Sequence, residues 1–522
     1  MMQTDTTASS QAASPSVPPP TAGHGSSYSQ ILKSSSIIGG AQGINYLIGM
    51  VRTKLVAILL GPSGVGLVGL YNSATGLVGV LAGLGVGSSG VREVAEAHGS
   101  GDAERVARTI RVLRRSCWAT GLLGWALTAA FAWPLSIWTF GSTEHAWAVA
   151  LLGSTLLFGA IAGGQMALIQ GVRRIGDIAR LNVLSVVFGT IVAVGFYGWL
   201  GQRGIVPVLI IVAVINLASS WWFARKVTVP HITISWAETW QQSRRLIGLG
   251  AAFMWSGLLT ATVGLITRSL IARQLGLDAN GIYQAAWGIS GVFAGFILSA
   301  MGTDFYPRLT AVSHDNDQVN RLVNEQTEIG ILLALPGILA TLIFAPWFMR
   351  IFYTAKFLPG AELLPWFVLG VFGRVISWPI GFIQLAKGAS RWFVATDTAS
   401  AALWLGLTVS LLHWLGLWGV ALAFAILYGA EIVGNLWVGR RLSGFHWSGN
   451  VWNLLAIASV LVASGFAVQH WLSGVLGLIV GAMLTVLSVI TSLRGIAARL
   501  GSQHRIVRLA ARVPGLRFAC GL

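Results

Sequence analysis

Charge is what this chain most lacks. Asp, Glu, Lys and Arg make up 10% of its 522 residues, where soluble domains carry roughly a quarter. Hydrophobic residues reach 55% and the mean hydropathy is +0.72, more apolar sequence than a soluble fold can hide. Cysteine is nearly missing. Cys117 and Cys520 stand far apart, which excludes a disulfide framework or a thiolate metal centre, and Cys117 is expected simply to pack on a helix. No metal-spaced cluster, Walker loop or GxSxG elbow occurs. The glycine-rich "GVGLVG" at 64–69 opens an apolar helix and follows no strand, so it is not a phosphate loop. An ATP-driven pump and an enzyme are therefore not expected, and no cofactor is called for. Residues 1–29 carry neither a basic n-region nor an apolar h-region. They read as a disordered tail rich in Ser, Ala, Thr and Pro, not as a cleaved signal, which leaves the first span to direct insertion.

The rest of the chain is long apolar runs, the mark of an all-α polytopic membrane protein. About fourteen spans are predicted, near 35–60, 64–87, 115–139, 146–170, 181–200, 204–224, 247–275, 280–302, 329–353, 363–386, 393–415, 417–438, 451–470 and 473–493. The 65 glycines suit close helix packing and the 23 tryptophans suit interfacial belts. Most of the 34 Lys and Arg fall in alternate loops and in the tail. With both termini cytoplasmic, the outer loops hold only Arg203, Arg350 and Lys356, as the positive-inside rule asks. The net charge of +17 thus records topology, and its scatter over short loops argues against nucleic acid. Two long inner loops, 91–115 and 308–328, are predicted as amphipathic surface helices, the second almost as readable as a solvated charged loop. The polar stretch 226–245 reads as a cytoplasmic linker between an N-lobe (30–225) and a C-lobe (246–441). Spans 13 and 14 (442–494) and a basic cytoplasmic tail (495–522) follow.

A shift of 215 residues lays "VRTKLVAILLGPSGVGLVGLYNSATGL" (51–77) over "ITRSLIARQLGLDANGIYQAAWGISGV" (266–292). Gly61, Gly66 and Gly76 fall on Gly276, Gly281 and Gly291, and Arg52 comes to nearly the depth of Arg268. Two halves of the same topology imply a parallel pseudo-repeat about an axis along the membrane normal, an architecture that transporters use for a central site.

Five cations lie within spans: Arg52, Lys54, Arg268, Arg273 and Arg374. Each costs at least about 2.5–3.5 kcal/mol in lipid unless it meets water or an anion. Arg52 and Lys54 point about 200° apart on one helix, so one site cannot use both. Arg52 is taken as the cavity residue; Lys54 reads first as snorkelling toward outer headgroups and second as a site residue. Arg268 occupies the repeat-matched position. Arg273, three residues from Gly276, reads first as an interface anchor and second as a site residue. Arg374 sits deep in span 10. Two intramembrane acids, Asp397 and Glu431, are ion-coupling candidates or charge partners of Arg374 and Arg268. Asp304 is read as a cap. Asn72, Gln165, Gln170, Tyr283 and Gln284, with Trp287, Trp366, Trp378 and Trp392, are sugar-contact candidates whose commoner role is helix packing.

The segments 60–97, 272–313 and 363–393 resemble spans 2, 8 and 10 of the O-antigen and common-antigen flippases. These form the polysaccharide branch of the multidrug/oligosaccharidyl-lipid/polysaccharide exporter superfamily. "GMVRTKLVAILLG" (49–61) also looks like the first helix of the lipid II flippases, where an arginine faces the cavity, and Arg52 matches it. A basic residue at Arg374 and an acid at Asp397 fit the family pattern. The resemblance implies two six-helix lobes around a central cavity plus two C-terminal helices. The cargo would be an undecaprenyl-pyrophosphate-linked oligosaccharide, moved across the cytoplasmic membrane by alternating access, with a polysaccharide polymerase and a chain-length regulator as further partners. Arg52, Arg268 and Arg374 would hold the pyrophosphate, since arginine binds phosphate through two oxygens and never deprotonates. The alternatives are a multidrug or organic-cation antiporter of the same superfamily and a lipid II flippase.

Overall fold

A computed structural model describes residues 24–500 apart from 173, 229, 231 and 473. It is helical throughout, with no strand among the described residues. In chain order the helices are α1 (His24–Gly83), α2 (Val86–Gly99), α3 (Ala103–Ala130), α4 (Ala132–Phe140), α5 (Ala146–Gly171), α6 (Ile175–Leu200) and α7 (Ile205–Ala224). After a linker come α8 (Trp236–Leu275), α9 (Leu277–Ala311), α10 (Asn316–Ile343), α11 (Ala345–Phe352), α12 (Leu364–Ala386), α13 (Ser390–Leu415), α14 (Leu417–Ser443), α15 (Gly449–Trp471) and α16 (Gly474–Leu500). Among the described residues, ten of the helical runs are long and apolar enough to cross a membrane, or eleven if α3 and α4, bent by 65°, form one span. Two of those runs contain a break, at Gly61 and at 201–204, and Gly276 breaks the helical run between α8 and α9. The protein is a multi-pass membrane protein. The expected tail lies outside the described residues up to residue 23, and α1 already opens at His24. The tail beyond residue 500, with Cys520, also lies outside them.

The two faces of the bundle differ as the charges require. On one face lie the tight turns at Gly61, Gly201, Gly276 and Gly416, each a positive-φ glycine, hereafter the turn face. Trp199, Trp414 and Trp471, 82%, 81% and 79% exposed, stand at the helix ends of this face, where amphipathic rings meet headgroups. The opposite, arginine face holds the loops around Arg105–Arg115, Arg174, Lys387 and Arg440. There Lys387 Nζ donates to Ser313 O and Asn316 Oδ1, and Asn320 Nδ2 donates to Ser443 O at 3.0 Å. Cys117 is buried against Gly164.

The two amphipathic loops are not free surface helices. Each breaks after one turn-rich step and runs straight into the next span. Asp102 caps α3 by accepting from Glu104 N–H and Arg105 N–H, and Asp315 caps α10 by accepting from Gln318 N–H at 3.0 Å. The same holds for the linker. Arg111 donates to Ile232 O at 2.6 Å and Arg115 to Ile234 O at 3.0 Å, so the chain before Trp236 is strapped to α3, and 236–245 is already the start of α8.

The repeat expected from the sequence reappears in three dimensions. Gly61 and Gly276 are both left-handed breaks, with φ 64° and 91°. Gly66 and Gly281 meet where α1 crosses α9. A Cβ on Gly66 would lie 2.4 Å from Leu277 O, and one on Gly281 1.9 Å from Pro62 O. Pro62 and Leu277 are themselves 215 apart, so the contact is reciprocal, residue for residue. Such self-complementarity is the mark of a two-fold relation. Gly76 and Gly291, the third matched pair, both face open space.

Glu328 of α10 accepts from Arg499 Nε, with only 12% of the Glu328 side chain exposed. Together with apolar contacts this ties α16 to α10. Glu328→Gln leaves Arg499 uncompensated, and a loss of about 1–3 kcal/mol is expected. A thermal shift in detergent measures it, and an unchanged midpoint means the pair contributes nothing.

Candidate functional site

The site is built from α1, α8 and the central helices of the second half. Arg52 lies nine residues before Gly61 on α1 and Arg268 eight before Gly276 on α8, about 12–14 Å below the turn face in each case. Arg52 is half-buried and sits within electrostatic range of Tyr197 on α6. Among the described residues it makes no hydrogen bond and no ion pair. Arg268 is held: its Nε donates to Gln284 Oε1 at 2.9 Å, its Nη1 to Gly264 O at 3.0 Å, and its guanidinium lies 5.8 Å from the Tyr283 ring. Gln284 in turn packs against Gly69 of α1, so this cation stands where the two halves meet.

Arg374 is the exception on a largely buried helix. Its neighbours Gly373 and Val375 are buried while its own side chain is exposed. It lies within electrostatic range of Glu431 on α14 and of Tyr428, which also senses Asp397 on α13. None of the ion pairs among the described residues involves it. Asp397 bonds Ser256 of α8 through one oxygen, and its Oδ2 is buried without a partner. Glu431 Oε2 accepts from Ser377 Oγ at 3.5 Å.

The structure groups Arg374, Asp397 and Glu431 in one charged cluster, with Arg268 and Arg52 in separate surroundings. The two secondary cations are turn-face residues. Lys54, expected to reach headgroups, instead donates to Arg350 O and Tyr353 O at the end of α11. Carbonyls that a helix C-terminus leaves unpaired, at the negative end of its dipole, are a better partner for an ammonium than lipid is. Arg273 is exposed beside Gly141 in the α4–α5 turn.

Most polar and aromatic candidates prove to be packing residues. Gln165 accepts from Ser220 at 2.5 Å, Tyr283 is fully buried, and Trp287 is enclosed by Phe367, Trp404 and Phe424. Trp366 packs edge-on to Trp418 and Phe466, Trp378 against Phe382, and Trp392 against Trp437. The side chain of Asp304 lies outside the described residues. Sequence reading missed a polar chain in the same region. Thr396 donates to Gln384 at 3.0 Å, and Gln384 to Asn435 at 3.2 Å. Gln384 and Asn435 were visible as mid-span amides, but nothing local says that they pair.

The family model described as "Polysaccharide biosynthesis protein" matches residues 31–313, more than half of the chain. The chain belongs to that family. A curated relative, "Lipid III flippase" of Escherichia coli K12, is 25% identical over 405 residues, which cover 73% of this chain and 91% of the relative. The same figures hold for the "Lipid III flippase" of Shigella flexneri. Among solved structures the fold resembles an inward-facing multidrug transporter of the MOP superfamily, with TM-score 0.60, 19% identity and cover of 77% of this chain and 95% of that one. It equally resembles the lipid II flippase MurJ in its inward closed conformation, with TM-score 0.60, 14% identity and cover of 89% and 99%. These likenesses establish the fold that this family member shares with them.

Proposed function

We propose that the protein carries undecaprenyl-pyrophosphate-linked oligosaccharide repeat units, of O-antigen or exopolysaccharide type, from the inner to the outer leaflet of the cytoplasmic membrane. The observation that carries this reading is that Arg52 and Arg374, both within spans, have no bonded protein anion among the described residues. Uncompensated guanidinium in a membrane protein calls for water and an anion, and a pyrophosphate supplies the anion in a form arginine binds with two oxygens. Arg268, already oriented by Gln284, completes the set of three. Membership of the polysaccharide biosynthesis family and a relative named for flipping a lipid-linked precursor support the same cargo class.

The mechanism follows from the placement of the cations. The arginine face is cytoplasmic, as are both termini. The lobes 30–225 and 246–441 meet at the turn face through the Gly66–Gly281 crossing and through Lys54, which closes the outer side. The cargo head enters from the cytoplasm, exchanges phosphate hydration for the arginines, and leaves when the lobes rock and the outer contacts part, while the lipid tail stays in the bilayer. Asp397 and Glu431 couple ion movement to that cycle or balance Arg374. A polymerase and a chain-length regulator then act on the exported unit. A multidrug antiporter is the second reading, favoured by the transporter fold alone. A cationic drug has no use for unpaired arginines.

Complementation of a bacterium lacking its own O-antigen flippase tests the proposal, with deletion in the native host as the parallel arm. Wild type is expected to restore surface polysaccharide. Arg52→Ala, Arg268→Ala and Arg374→Ala, at matched membrane abundance, are each expected to lose at least tenfold. Equal activity of all three variants sinks the pyrophosphate cradle. Altered drug susceptibility with no polysaccharide phenotype in the native deletion points to the antiporter.

A further inference from the structure

On the arginine face two grooves adjoin outside the candidate site. One, of about 580 Å³, lies between α3 and the linker and is lined by Arg111, Arg114, Arg115, Trp118 and Trp236. The other, of about 790 Å³, runs between α3, α5 and α7. Arg114 and Trp118 form the ridge between them and line both. Its cationic rim is Arg114 and Arg225, and its floor is Leu157, Phe158, Ile161 and Leu217, which descends toward the middle of the spans.

The charges of this region are unbalanced. Among the described residues, no carboxylate lines either groove. Arg111 and Arg115 are occupied in strapping the linker to α3, and Arg115 also stacks 4.5 Å from the centre of the Trp236 ring. Arg225 stacks on Trp222 at 3.6 Å and on Trp221 at 4.9 Å, contacts that orient it without neutralising it. Arg114 is exposed and makes no hydrogen bond or ion pair among the described residues. Two open guanidinium groups therefore stand at the head of an apolar trough, flanked by exposed Trp118 and Trp221 rings.

We propose that this groove is a binding site for one anionic phospholipid, its phosphate between Arg114 and Arg225 and its acyl chains along the trough between α5 and α7. Basic pockets between membrane helices on the cytoplasmic side recognise anionic headgroups in this way, and the indole rings sit at the depth of the headgroup boundary. A free phosphate would satisfy the arginines but leave the trough empty, and a zwitterionic lipid would fill the trough but add no net negative charge. The occupant that meets both demands is an anionic lipid.

Native mass spectrometry of the purified full chain, with phosphatidylglycerol or phosphatidylcholine added in separate arms, tests the site. Wild type is expected to retain one more phosphatidylglycerol than Arg114→Ala/Arg225→Ala, with phosphatidylcholine retention equal in both proteins. Identical phosphatidylglycerol retention in the double variant overturns the proposal. So does equal retention of phosphatidylcholine and phosphatidylglycerol by wild type, which marks an ordinary annular contact. Displacement of the extra lipid by millimolar inorganic phosphate overturns the lipid assignment in favour of a free-anion site. The wild-type arms stand alone should the double variant fail to insert.

Discussion

Gly281→Ala is expected to abolish surface polysaccharide at matched membrane abundance, while Gly291→Ala leaves it intact. The methyl at position 281 would stand 1.9 Å from the carbonyl oxygen of Pro62 and 2.6 Å from its carbon. Both are backbone atoms, so no flexible side chain can swing away, and ordinary contact is reached only if α1 and α9 part by more than 1 Å. Overpacking of that kind costs roughly 1–3 kcal/mol in a core. Here the strain falls on the contact that closes the turn face, and it also removes the hydrogen bond that Asn280 Nδ2 donates to Gly66 O at 2.8 Å. Gly66→Ala is expected to act in the same direction, since its methyl would meet Leu277 O at 2.4 Å. Gly291 and Gly76 have nothing within 4 Å and serve as matched controls from the same repeat. Full transport by Gly281→Ala refutes the closure.

The glycine pattern shows what a single sequence can reveal. Gly61/Gly276, Gly66/Gly281 and Gly76/Gly291 were matched as letters, and each pair proves to share one physical role: break, crossing and open face. Periodicity and repeat are written in nearest neighbours along the chain, so they could be read. The partners of Lys54 could not. They are carbonyls about 300 residues away, on a short helix that hydropathy merges into its span. The same limit hid the docking of the linker on α3 and the pairing of Gln384 with Asn435. The intramembrane charges were legible as a list, because any charge in an apolar run stands out. That Arg374 shares surroundings with Glu431 and Asp397, while Arg268 takes Gln284 instead of an acid, depends on which helices pack together.

The charged cluster offers the second large effect. Arg374→Ala is expected to eliminate transport and to lower the thermal midpoint, because Glu431 loses the guanidinium within electrostatic range of it. Glu431→Gln alone should cost less, since Arg374 is exposed and can be solvated where it stands. The double variant Arg374→Ala/Glu431→Gln separates two roles that either single variant confounds. If Glu431 serves only to balance Arg374, the double variant recovers most of the lost stability, a coupling of at least 1 kcal/mol in the cycle. It should still fail to export polysaccharide, because the phosphate ligand has not returned. If Glu431 or Asp397 carries the coupling ion, Glu431→Gln or Asp397→Asn stops transport with Arg374 in place and with stability preserved. The discriminating measurement is therefore paired: a thermal midpoint in detergent and surface polysaccharide for wild type and each of these variants. Recovery of both stability and export in the double variant would remove Arg374 from the cargo site. It would reduce the cluster to a structural ion pair, and the phosphate would then depend on Arg52 and Arg268 alone.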